Sequence, residues 1–110
     1  MAELIKDKEE INKIITEKIK GKKPFFTKYY GIRLATRGIE HEKVLEIFPQ
    51  FEKVIAIEKE KLKFGDTGYE LFYQLNNNST FSIATVPKKD NIEIIHAVEY
   101  KRDLGKRLKK

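Results

Sequence analysis

The chain predicts an α+β fold, with N-terminal helices packed on one face of a four-stranded antiparallel meander sheet. Three observations carry this. Apolar residues in the first half recur at helical spacing, those in the second half alternate, and "FGDTG", "NNNS" and "PKKDN" divide the second half with hairpin-turn residues. Helices followed by strands with short connections sort into this class rather than into alternating α/β.

Residues 3–20 set Leu4, Ile11, Ile15 and Ile19, with Ile14 beside them, three, four or seven apart, as an amphipathic helix does. Glu3, Asp7, Glu9 and Glu10 come early and Lys18, Lys20 and Lys22 late, which suits the helix dipole. Gly21 ends this helix and Pro24 blocks its resumption. A second helix spans about 27–37, capped by Thr27 and closed at Gly38. A third spans about 40–48 with Val44, Leu45, Ile47 and Phe48 apolar, and Pro49 stops it. Strands are predicted over 53–62, 68–75, 80–86 and 92–100, and Tyr69, Leu71, Tyr73 and Leu75 share one face of the second. Helices cover one sheet face; the other is left for function.

At 110 residues, without a Pro/Gly/Ser linker, the chain reads as a single domain. Residues 1–22 form a helical extension, 25–102 the core and 103–110 a basic tail. Charged residues make up 36%, against about 25% in an ordinary domain. The Lys, Glu and Ile bias resembles a thermophile surface, an AT-rich genome being the other source. No apolar run of about 20 residues exists, so no membrane span is expected. Cysteine is absent, which excludes disulfides and thiolate metal sites, and "MAELIKDKEE" lacks a signal core; the cytoplasm is the expected compartment.

The net charge of +6 is uneven: "KRDLGKRLKK" carries +5, residues 1–23 carry +2, and the body between carries −1. A basic tail on a nearly neutral body suits an anionic partner or a solvated terminus. Within "FTKYYGIRLATRGIEHEKVLEIF", Arg33 and Arg37 stand four apart on one helix face, with Tyr29 one turn earlier. Guanidinium forks match phosphate oxygens bidentately, so the stripe reads as a phosphate clamp. The alternative is pairing with Glu40, Glu42 or Glu46.

Tyr29, Arg33, Arg37, Gly38, Ile39 and Val44 match a pattern His-x-x-x-Arg-x-x-x-Arg-Gly-Ile followed by a short helix and four strands, and "EIIHAVEYKR" is similar to its last strand. Over residues 25–102 the chain thus resembles the RelE- and BrnT-type toxins of the barnase–RelE–colicin ribonuclease fold. Tyr29 stands where that pattern has His. The resemblance implies a metal-independent endoribonuclease of a toxin–antitoxin pair, with RNA and an antitoxin protein as partners and no cofactor. Such chemistry needs a base for the ribose 2′-OH, cations for the phosphorane and an acid for the leaving oxygen. Catalytic candidates are His96, Tyr100, Arg37 and Tyr29; nucleic-acid contacts fall to Arg33, Lys101, Arg102, Lys106 and Arg107; no metal ligand is assigned. His96 shares strand parity with Ile92, Ile94 and Val98, so it is either an inert core histidine or a group at the open sheet end. His41, at the start of the third helix, is expected to be exposed. Tyr69 and Tyr73 read either as core or as stacking aromatics.

Other classes are thinner. Glu99-x-Lys101 with Asp66 or Asp90 matches a metal-nuclease triplet, but Glu-x-Lys is common in so charged a chain. Phosphate loops, zinc spacings and nucleophile elbows are absent. Helix-turn-helix binding fits the turn at Gly38 and not the four strands that follow. A non-catalytic nucleic-acid or protein-interaction module on the same fold is the alternative, and the first helix is the candidate contact for a partner protein or a second copy in a homo-oligomer.

Overall fold

A computed structural model describes residues 2–63 and 65–100. The order is β1 (Glu3–Ile5), α1 (Lys8–Ile14), a π-helical turn (Ile15–Ile19), β2 (Lys23–Phe26), α2 (Lys28–Arg37), α3 (His41–Ile47), a 3-10 turn (Phe51–Lys53), β3 (Val54–Lys61), β4 (Thr67–Asn76), β5 (Ser79–Pro87) and β6 (Asn91–Tyr100). The class is α+β as expected.

The four-stranded antiparallel sheet needs correction: the strands form one six-stranded mixed sheet, β1-β3-β4-β5-β6-β2. The meander is its centre, β1 joins β3 antiparallel and β2 joins β6 parallel. Both added strands lie at edges and are too short, at three and four residues, for alternation to register. Leu4 fell into the helical period, and Pro24 demotes a strand unless it lies at an edge, where β2 does lie. The first helix accordingly begins at Lys8, where the Asp7 carboxylate accepts from the Glu10 amide at 3.0 Å.

Ile11, Ile15 and Ile19 are all buried although a four-residue repeat drifts about 40° per step around an α-helix. The π turn, closed by Lys20 N–H to Ile15 C=O at 2.7 Å, widens the spiral and keeps the ladder on the core. These isoleucines join Tyr30, Leu34, Val44 and Ile47 against Ile57, Leu71, Tyr73, Phe81, Ile83, Ile92, Ile94 and Ala97. Every buried residue of the three helices belongs to this one core. No helix therefore covers the opposite face among the described residues.

Two details position the site. β2 pairs only with Asn91–Ile94, and α2 takes over the remaining edge of β6. The Thr27 amide and hydroxyl both donate to Ile94 C=O at 3.3 Å, and Arg37 Nη1 donates to Ala97 C=O at 2.9 Å. Second, β6 carries a bulge: Ile94 lies opposite Thr85 and His96 opposite Ala84, leaving Ile95 extra. Strand parity reverses there. Ile92 and Ile94 enter the core, whereas His96, Val98 and Tyr100 turn to the open face.

Candidate nucleic-acid interface

Helix α2 supplies the cations. The Thr27 hydroxyl accepts from the Tyr30 amide at 3.1 Å, and Gly38, at φ 65°, takes the left-handed conformation that ends the helix. Tyr30 and Leu34 anchor the inner side, which leaves Tyr29, Arg33 and Arg37 as one stripe beside the β6 edge. Arg33 donates through Nε and Nη2 to the Tyr29 hydroxyl, its guanidinium carbon 4.6 Å from the ring centre. Arg37 holds the Ala97 carbonyl. Neither arginine pairs with Glu40, Glu42 or Glu46; the ion pairs among the described residues are Lys43–Glu99 and Lys88–Asp66, both at 2.8 Å.

His96 lies next to this stripe. It is half-buried, and its Nδ1 is buried without a hydrogen-bond partner among the described residues. Burial, then Arg37, then Arg33 hold its pKa below the ordinary imidazole value, so the ring is neutral near pH 7. It borders a cavity of about 240 Å³ on the open face, with Glu58, Glu70, Ala84 and Ile95. Register places Glu58, Glu70, Ala84 and His96 in one row across four strands. Glu70 and His96 thus flank Ala84, two strand spacings or about 10 Å apart at Cα. The gap suits a small polar group held between an acceptor and an imidazole.

Other candidates lie elsewhere. Tyr100 shares the open face with His96 but sits four residues, about 13 Å, further along the strand. It packs on the Ala56–Phe72 pair, so it does not join the Arg37–His96 group. Tyr69 and Tyr73 face the helices, and Tyr73 donates to Phe48 C=O at 2.8 Å. Burial, with Glu52 second, raises the Tyr73 pKa and keeps the phenol neutral. His41 is a packing residue and not an exposed one. Its Nδ1 meets the Tyr30 hydroxyl at 2.7 Å and its ring stands edge-on to Phe26 at 4.6 Å. Burial, then Glu42, pushes the Tyr30 phenol up to about 12. The carboxylates of the metal-nuclease triplet lie apart, since Lys43 holds Glu99 at one end of β6, Asp90 precedes the other end and Lys88 holds Asp66 beyond it; Lys101 lies outside the described residues. No group of three or more metal-ligating side chains occurs among the described residues. Lys101, Arg102, Lys106, Arg107 and the basic tail lie outside the described residues.

Sequence reasoning missed two parts of this surface. Glu70 alternates with Tyr69 and Leu71, so a core assignment for those two already sends it to the open face. Residues 18–39 hold seven Lys or Arg and no acid, a run masked when residues 1–23 are counted together. Folding turns that run into the β2–α2 rim. No described helix is long and apolar enough to cross a membrane. Comparison with family models, curated proteins and solved structures finds no match to this chain.

Proposed function

We propose that this protein acts on RNA in the cytoplasm as a metal-independent endoribonuclease, the toxin of a toxin–antitoxin pair. One observation carries the reading: two arginines without carboxylate partners among the described residues flank a neutral, half-buried histidine at the border of an open sheet face. In this mechanism His96 takes the proton of a ribose 2′-OH, whose oxygen attacks the adjacent phosphorus. Arg33 and Arg37 neutralise the charge that gathers on the phosphorane. The Tyr29 hydroxyl accepts from Arg33 and retains its own proton to give to the departing 5′-oxygen. The products are a cyclic phosphate and a free 5′-hydroxyl.

The test is cleavage of a mixed-sequence RNA in EDTA. Wild type is expected to cut, Arg33→Ala/Arg37→Ala to lose about a hundredfold or more, and His96→Ala a comparable factor. A double arginine variant that cuts like wild type removes the clamp; activity abolished by EDTA removes the metal-free mechanism.

A second reading has its own support. Tyr29 is tied to Arg33, and Tyr100 is remote from His96. A binding module without catalysis would use the same arginines, giving salt-sensitive RNA affinity and no cleavage at any pH. An antitoxin or a second copy would cover Tyr29 and Ile32, both exposed on α2; light scattering with size exclusion reads the latter.

A further inference from the structure

We propose that Phe25 is a base-stacking platform that makes this interface select single-stranded RNA. The inference rests on the RNA reading and names the substrate class for the same site. Phe25 and Phe26 are neighbours on β2 with opposite fates. Phe26 turns into the core, where its ring lies 4.8 Å from that of Tyr30. Phe25 pairs in register with Glu93, shares the open face with it, and stays 54% exposed. A single exposed ring is not a patch, so exposure by itself assigns Phe25 no partner; its place beside a row of cations does.

The charge layout says which partner. Lys23, Lys28, Arg33 and Arg37 line the β2–α2 rim, within the acid-free run of residues 18–39. Carboxylates lie further in, at Glu93 beside Phe25 and at Glu58 and Glu70 in the His96 row. A polyanion is drawn to the rim and repelled from the sheet interior. A nucleic-acid strand therefore runs its phosphates along the rim and turns its bases inward. Phe25 is the first surface those bases meet. From Phe25, level with Glu93, to His96 is one strand spacing sideways and, across the Ile95 bulge, two steps of the β5 ladder along (Val86 to Ala84), so the two Cα atoms are about 8 Å apart. Neighbouring nucleotides of one strand reach both. A duplex cannot adopt this pose, because its bases are already stacked and paired. Glutamates facing base edges serve as hydrogen-bond acceptors, a role for which phosphates would be unsuited. An acidic protein segment would engage the same cations without needing a flat ring, and the variants separate the two.

Fluorescence anisotropy tests this with a short labelled 2′-O-methyl oligoribonucleotide, which the 2′-OH mechanism cannot cut, alone and annealed to its complement. Wild type is expected to bind the single strand about tenfold or more tighter than the duplex. Phe25→Ala and Phe25→Leu should each weaken single-strand binding by about five- to a hundredfold, while Phe25→Trp keeps it. Duplex affinity should not move. Unchanged thermal midpoints show that the fold is intact, and the leucine variant separates loss of the ring from loss of apolar bulk. Single-strand affinity unchanged in both variants, or lost equally for duplex, overturns the platform while the RNA reading stands. No salt-dependent binding by wild type overturns the RNA reading itself.

Discussion

His96 owes its chemistry to neighbours on two elements. Burial between β5 and the cavity penalises the imidazolium first, and the Arg37 and Arg33 charges add to that. The ring therefore titrates below the ordinary imidazole value of 6.5. In NMR titration of the imidazole C–H signals, Arg37→Ala should raise the His96 midpoint toward 6.5 without reaching it, since burial remains. An unchanged midpoint would separate the two residues. The linkage has a definite sign. The unfolded chain binds the proton first on acidification, so this group's stabilisation is present above about pH 6.5 and lost as pH falls through the lower folded value. A bound phosphate would reverse the local field and raise the same midpoint.

At the scale of elements, α2 is both a structural cover and the carrier of the proposed arginine clamp. Thr27 caps it and also holds the β6 edge through Ile94, so one side chain sets the helix start and its seat on the sheet. Thr27→Ala should cost about 1–2 kcal/mol. Gly38→Ala should cost about 1 kcal/mol, for a purely backbone reason: no heavy atom lies within 4 Å of an added Cβ, yet φ is 65°. Urea unfolding of both variants checks these values. RNA affinity should fall more in the Thr27 variant, because the arginine stripe depends on the helix entry angle. The Ile95 bulge acts at the same scale. Without it, the pairing of Ile94 with Thr85 would continue in step and send His96 to the helix side.

Across the whole molecule, the N-terminal segment is woven into the sheet. β1 pairs with β3, β2 with β6, and Ile5, Ile11, Ile15 and Ile19 all belong to the common core. Deleting residues 1–22 removes a strand and four buried isoleucines, each worth about 2–5 kcal/mol as a truncation to Ala. The four together, about 8–20 kcal/mol, match or exceed the whole stability of an ordinary domain, about 5–15 kcal/mol. The shortened chain should show no cooperative thermal transition by circular dichroism. A shortened chain with a sharp transition would mean that the meander and α2 fold alone. Pairings this distant in sequence also place refolding in the range of about milliseconds to seconds, which stopped-flow fluorescence of the five tyrosines would read.

What the sequence alone determined is local. Alternation and turn chemistry defined the four central strands, helical spacing with Thr27 and Gly38 defined α2, and a four-residue step put Arg33 and Arg37 on one face. Each depends on residues within a few positions of one another. Tertiary structure decided what depends on partners far along the chain: the edge strands β1 and β2, the face on which His96 emerges, the removal of Tyr100 to another cluster, and the row that sets Glu70 and His96 on either side of Ala84. A strand of three residues gains its identity from the strand beside it, and a bulge is a mismatch between two strands that neither contains by itself. Periodicity reports which residues share a side; pairing decides which side that is.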